Sequence, residues 1–248
     1  MKKQMLDDGV IILPTYNETQ SIYTLLIELD LHIPLNWYLI IVDDSPTTRT
    51  EDLVKEVFGN ARRDRDRFHF IKNETKSGRG FAVQRGMKYA NTNFQPNFVI
   101  EMDSDGSHSV ESVLKLICAP ADKDFIVGSR YLPSSQIIGW SITRRVFSKI
   151  INKCLEGIFG IGLSDWTNGL RRYSKQSIEI QISHEFRNSG FITLSEQALL
   201  LHENQILPFE IPITFKERTH GTSTVTRHEI MNAAKGIVNI YLGQRRSK

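Results

Sequence analysis

Between residues 9 and 129, short β-branched runs alternate with stretches of helical period. This alternation constrains the fold more than any other property of the chain. Strands are expected at 9–14, 37–43, 68–71, 97–102 and 124–129, with helices near 17–29, 51–58, 78–90 and 109–118. The run Trp37-Tyr-Leu-Ile-Ile-Val-Asp43 is continuously apolar, as in a strand covered on both faces. Ile22, Leu25, Leu26 and Leu29 follow at helical spacing behind the cap candidates Asn17 and Thr19. The pattern predicts an α/β fold with a mostly parallel central sheet and helices on both sides. Such sheets take ligands at the carboxyl ends of their strands.

Three of these strands end in polar clusters: Pro14-Thr-Tyr-Asn-Glu18, Asp43-Asp-Ser-Pro46 and Asp103-Ser-Asp105. The third is the most suggestive. Carboxylates on alternate residues point apart in a straight strand, but they converge once the chain turns at Gly106. Two converging hard oxygens suit Mg²⁺ or Mn²⁺. Alone, an Asp-x-Asp before Gly is more often a plain turn or a helix cap than a metal site. The agreement of three strand ends favours a site. No Gly-x-Gly-x-x-Gly follows the first strand, which counts against a dinucleotide fold.

The rest of the chain has another character. Residues 142–159 carry apolar pairs at 146/147, 150/151, 154/155 and 158/159, with Arg145, Lys149 and Lys153 on a separate stripe. A basic amphipathic helix of this kind packs on the core by default and lies on a membrane surface as the alternative. Residues 164–173 read as a polar loop, 175–186 and 194–203 as helices, and 206–215, with two prolines, as an edge strand. A loop at 218–226 and a helix at 229–242 close the chain. Residues 1–140 hold 16 Lys+Arg against 19 Asp+Glu, while 141–248 hold 15 against 9, so the +3 net charge sits in the second part. That part is expected to meet phosphates or an anionic surface. No nucleic-acid module is present. Cys118 and Cys154 read as buried, unpaired residues of a reducing compartment. Neither a signal peptide nor an apolar run near the ~20 residues of a spanning helix is seen.

Taken with Gly78-Arg-Gly80, Gly128-Ser-Arg-Tyr131, Ser164-Asp-Trp-Thr-Asn-Gly169 and Arg218-Thr-His-Gly-Thr-Ser223, the three strand-end clusters fall in the order and spacing of a known family. The chain resembles the family-2 inverting glycosyltransferases, and among them the dolichyl-phosphate (polyprenyl-phosphate) mannosyltransferase type, from about residue 9 to 240. The resemblance implies a GT-A fold, formed as a single catalytic domain over 1–248. A nucleotide-sugar-binding part would span 1–130, and an acceptor-side, membrane-facing part 131–248. It implies a nucleotide-diphosphate sugar donor, GDP-mannose for this type, a polyprenyl phosphate acceptor, a divalent Mg²⁺ or Mn²⁺, and a peripheral place at the cytoplasmic membrane face.

The roles it implies run residue by residue. Asp103 and Asp105 would hold the metal, with Ser107 able to join. Pro14, Tyr16, Glu18, Asp43, Asp44 and Gly80 would line the donor pocket; for Asp43 and Asp44 helix capping is the competing role, and for Gly80 a plain helix start. Arg130, Arg144, Arg145 and Arg218 would meet phosphate oxygens, a planar fork being suited to them; surface ion pairs are the alternative for each. Glu196 or Asp165 would act as a base toward a hydroxyl acceptor, orient the donor sugar, or pair with an Arg. Other readings remain: a family-2 enzyme acting on a hydroxyl acceptor, or a non-catalytic nucleotide-sugar-binding subunit. The Lys that ends the relatives' Arg-x-x-Gly-x-Ser-Lys is Thr224 here, with Arg227 nearby.

Overall fold

A computed structural model describes residues 7–18, 20–59, 65–188, 190 and 192–217. Nine strands are found among them: β1 (Gly9–Thr15), β2 (Trp37–Asp43), β3 (Phe68–Lys72), β4 (Phe98–Glu101), β5 (Phe125–Ser129), β6 (Gln136–Ile138), β7 (Arg171–Ser174), β8 (Pro208–Pro212) and β9 (Thr214–Lys216). The helices are α1 (Gln20–His32), α2 (Arg49–Gly59), α3 (Arg79–Asn93), α4 (Val110–Ile117), α5 (Ile142–Phe159), α6 (Lys175–Ser183) and α7 (Thr193–Glu203). Seven strands form one sheet in the order β3-β2-β1-β4-β7-β5-β8; β6 and β9 pair separately. All neighbours in the large sheet are parallel except β7, which runs antiparallel to both β4 and β5.

The period-2 side-chain alternation of a strand builds a core on each face. Ile11 and Leu13 of β1 join Leu39 and Ile41 of β2 under α1, α2 and α4, where Leu26, Leu29, Val54 and Leu116 are buried. Val10 and Ile12 join Ile40 and Val42 on the other face under α3, α6 and α7, with Val83, Met87, Ile178 and Leu199. Each such side chain contributes roughly 1.5–3 kcal/mol by leaving water. Because every parallel strand points the same way, the ends at Thr15, Asp43, Glu101 and Ser129 gather on one edge of the sheet.

Three expectations are corrected. The polar stretch 164–173 contains the central strand β7. Its two arginines are buried and bonded to carbonyl oxygens: Arg171 donates to Asn168 O at 3.0 Å, Leu194 O at 2.5 Å and Trp166 O at 2.9 Å. Arg172, on the opposite face, donates to Leu116 O at 3.0 Å and Ala119 O at 2.9 Å and lies 4.2 Å from the centre of the Phe98 ring. Second, α5 packs on the core through only Leu155 and Phe159 of its apolar pairs. It buries Asn152 and Leu155, while Ile142, Val146, Phe147, Ile150, Ile151 and Ile158 are exposed. Third, Cys118 and Cys154 are exposed rather than buried, because one caps α4 and the other rides the open face of α5. The 206–215 edge strand is found as β8 and β9, divided at Ile213. The segments expected at 218–226 and 229–242 lie outside the described residues.

Candidate active site

The three polar clusters converge at the strand ends, tied together by the backbone. Ser104 Oγ donates to Pro14 O at 2.9 Å, joining the tip of β1 to the Asp-x-Asp turn. Asp43, fully buried, accepts from Thr15 Oγ1 at 2.9 Å, Ser45 Oγ at 2.5 Å and Lys72 Nζ at 2.6 Å. Asp44 accepts from Ser77 N at 3.0 Å, Gly78 N at 2.7 Å and the Asn73 side chain. Asp44 therefore caps the turn that opens α3, the role that competed with nucleotide contact. Tyr16 is exposed with Lys76 Nζ 3.9 Å above its ring. Glu18 accepts from Ser21 Oγ at 2.8 Å and its carbonyl from Thr50 Oγ1 at 3.0 Å. At Gly80 the space a Cβ would fill is taken by Thr193, so this glycine lets α3 approach α7.

The acid pair is not symmetric. Arg79 Nε donates to Asp103 Oδ1 at 2.8 Å, its Nη1 to Glu101 Oε2 at 3.0 Å and its Nη2 to Gly169 O at 3.1 Å. Burial works against the Arg79 charge, but Asp103 and Glu101 outweigh it and raise its pKa above the ordinary arginine value. A Cβ at position 169 would collide with both Arg79 and Asp103. Asp105 instead accepts from Ser107 N at 2.9 Å and from the Ser107 hydroxyl, closing a tight turn. Among the described residues no three acidic, histidine or cysteine side chains converge. Asp103 and Asp105, with the Ser107 hydroxyl, are oxygen groups of the kind that could hold an ion such as Mg²⁺, which binds through one or two carboxylates and completes its shell with substrate phosphates and water.

Arg130 follows β5 and is clamped by Asp165. Its backbone N and Nε donate to Asp165 Oδ2 at 2.9 and 2.8 Å, and Nη2 reaches Asp165 Oδ1 and Thr167 Oγ1, each at 2.7 Å. Burial disfavours the guanidinium charge; Asp165 and, further off, Asp103 more than offset this and raise the pKa. The 165–169 segment links the two: Asp165 holds Arg130, and the Gly169 carbonyl accepts from the Arg79 that holds Asp103. Beyond Arg130 lies a cavity of about 200 Å³ lined by Arg130, Tyr131, Leu132, Ser135, Ile137, Arg145 and Lys149. Arg145 donates to Ile137 O at 2.8 Å. Arg144 pairs with Glu217 at 2.8 Å and lies 4.2 Å from the Trp140 ring centre; it is not among the residues lining this cavity. Arg218 lies outside the described residues. Glu196, in the first turn of α7, accepts from Arg187 N at 2.9 Å and from Asn188 N and Nδ2 at 3.3 and 2.8 Å.

Sequence reasoning passed over Arg79 and Glu101. A charged residue ending the apolar run Phe98-Val-Ile-Glu101 was the available signal, since a buried carboxylate requires a buried cation. Glu101 is fully buried and takes both Arg79 and the Tyr173 hydroxyl, at 2.5 Å.

The described geometry has relatives. Residues 10–192 match Glycosyl transferase family 2. The chain is 30% identical over 225 residues to the polyprenol monophosphomannose synthase of Mycolicibacterium smegmatis, covering 90% of this chain and 83% of that protein. It is 27% identical over 219 residues to the undecaprenyl-phosphate mannosyltransferase of Micrococcus luteus, covering 87% and 86%. Among solved structures it superimposes on glucosyl-3-phosphoglycerate synthase from Mycobacterium tuberculosis in complex with phosphoglyceric acid, with a TM-score of 0.64 at 15% identity over 96% of this chain and 79% of that one. The same enzyme with Mn²⁺, UDP and glucosyl-3-phosphoglycerate gives 0.63 at 15% identity over 94% and 77%. At this identity the likeness is one of fold, the GT-A fold of glycosyltransferases. The chain is a glycosyltransferase and belongs to glycosyl transferase family 2.

Proposed function

We propose that this enzyme transfers mannose from GDP-mannose onto the phosphate of a polyprenyl lipid, with inversion and with Mg²⁺ or Mn²⁺, while resting on the cytoplasmic face of a membrane. The observation that carries this reading is the cationic cavity of Arg130, Arg145 and Lys149 beside the exposed apolar face of α5. One wall suits a phosphate and the adjoining surface suits a hydrocarbon. The names of the two mannosyltransferase relatives agree with it. No helix among the described residues is long and apolar enough to cross a membrane, so the lipid would be met at its surface.

A lipid monophosphate has a second pKa of about 6, so its oxygen is already anionic near neutrality. Its attack on the anomeric carbon forms the new C–O bond as the bond to the diphosphate oxygen breaks, and no proton must be removed. This chain's residues then have to bring two anions together. Arg130 is pre-oriented by Asp165 for the incoming phosphate, and Asp103, Asp105 and Ser107 would hold the ion. When bound, that ion neutralises the diphosphate leaving group. A hydroxyl acceptor would need a base. Glu196 is a poor one, its carboxylate being committed to the Arg187 and Asn188 amides.

The test is release of nucleoside diphosphate from a panel of nucleotide sugars with Mn²⁺, with and without farnesyl phosphate. GDP released from GDP-mannose only in the presence of the lipid phosphate is the expected result. Equal release without lipid, or transfer to a sugar hydroxyl instead, overturns the proposal. In the same assay Arg130→Ala weakens the acceptor by the roughly 1.5–3 kcal/mol of a charged hydrogen bond.

A further inference from the structure

Four consecutive backbone amides between α5 and β7 are held by two carboxylates from different elements. Glu156 of α5 accepts from Gly162 N at 2.9 Å and Leu163 N at 3.1 Å. Glu210 of β8 accepts from Ser164 N at 2.9 Å and Asp165 N at 3.1 Å, and also from Ser164 Oγ at 2.9 Å. Ser164 Oγ lies 2.8 Å from Ser129 Oγ at the end of β5. Asp165, carried by this pinned segment, grips the Nε and Nη2 of Arg130. A continuous series of contacts therefore runs from Glu210 through the 164–165 turn to the guanidinium that lines the cavity.

The register explains the reach. Glu210 stands opposite Val127 in the parallel β5–β8 pair, and its half-buried carboxylate meets the turn. Burial raises its pKa; the hydrogen bonds from Ser164 and Asp165 oppose that rise, and the Asp165 charge adds to it. Three donors converge on two oxygens, which only an acceptor-only group satisfies in full. An amide in the same place would set an N–H against a donor.

We propose that Glu210 is a positioning residue: by pinning Ser164 and Asp165 it fixes the Asp165 fork on Arg130, and so sets the affinity for an anionic acceptor that it never touches. The acceptor half of this statement rests on the proposed function; the coupling to Arg130 does not.

The full chain carries the test, with Glu210→Gln as the isosteric variant and Glu210→Ala beside it. The ¹⁵N resonance of the Arg130 Nε–H, assigned with Arg130→Lys, reports the fork directly. It is expected to shift or broaden in folded Glu210→Gln while the Glu156→Gln variant, which loosens only the neighbouring amides, disturbs it less. With GDP-mannose and farnesyl phosphate, Glu210→Gln is expected to raise the acceptor KM about tenfold, the scale of one weakened charged hydrogen bond. The donor KM should stay within about twofold, since an interaction with the donor is not removed. Should Glu210→Ala fail to fold, the Gln variant decides. An unchanged Arg130 resonance in folded Glu210→Gln overturns the proposal, as does a parallel rise of both KM values. If the wild type ignores farnesyl phosphate, the proposed function falls, and the resonance comparison still decides whether Glu210 positions Arg130.

Discussion

Arg79 Nε lies 2.8 Å from Asp103 Oδ1, so the first acid of the Asp-x-Asp pair already has a cation partner within the protein, one it shares with Glu101. Asp105 instead closes its turn on Ser107. The two carboxylates are thus unequal in their duties. On the proposed function, Asp105→Asn is expected to lower turnover at least about a hundredfold, because the cation it would hold supplies several kcal/mol of charge stabilisation. Its melting temperature should scarcely move. Asp103→Asn should retain more of the Mn²⁺ dependence of GDP binding and lose more stability, since Arg79 and the buried Glu101 lose their balance. Calorimetric titration of GDP with and without Mn²⁺, together with thermal melts, separates the two; identical behaviour of the variants refutes the asymmetry.

Arg171→Met tests whether β7 is held by its arginines. The substitution leaves the carbonyls of Asn168, Leu194 and Trp166 without their donor. Each unsatisfied buried acceptor costs about 1–3 kcal/mol. Denaturant unfolding should show a loss above about 3 kcal/mol, on the scale of breaking a buried charge network. A loss below 1 kcal/mol by the same extrapolation would mean the carbonyls find water.

The exposed face of α5 makes a prediction of the opposite kind. Phe147→Ser with Ile150→Ser removes two side chains that are 57% and 52% exposed. Folding stability should stay within about 0.5 kcal/mol per substitution. Co-sedimentation with phosphatidylcholine–phosphatidylglycerol vesicles should fall at least about tenfold, since binding follows buried apolar area together with attraction of Lys149 and Lys153 to anionic lipid. Undiminished sedimentation removes α5 as the contact surface.

His69 gives a pH signature. Its ring sits among Tyr38, Tyr89 and Phe94, and Nε2 is buried without a hydrogen-bond partner. Burial lowers its pKa below the ordinary 6.5, with a weaker opposing pull from Asp66. The unfolded chain then takes up this proton before the folded one. The stability contributed by neutral His69 is full above pH 6.5 and is lost as pH falls through the depressed folded value. His69→Phe should flatten that limb of a stability–pH curve; an unaltered limb assigns it elsewhere.

The periodic elements were readable because their physics is local. Apolar period and cap residues located α1, β2 and α5, the last at its observed bounds. The strand-end acids were also readable, as polar residues interrupting apolar runs. β7 was not, because Arg171 and Arg172 look like surface residues until distant carbonyls at 116, 119 and 194 are brought to them. Arg79 was hidden for the same reason: its partners Glu101 and Gly169 lie 22 and 90 positions away. The exposure of the α5 face was equally out of reach, since amphipathic spacing says that one stripe is apolar and not what it meets.

The reversed strand β7 has a further consequence for how the molecule is assembled. Residues 171–174 are the seam between β4 and β5, and they arrive only after the excursion through β6 and α5 has been made. A polypeptide cut at residue 130 would carry β4 and β5 with nothing between them, so the N-terminal fragment should remain incomplete until a peptide bearing 171–174 is supplied. Pairings this distant in sequence also make closure slow. Strands β1 to β4 and the segment behind the cationic cavity are therefore closed by the same short strand, each waiting on the other to fold.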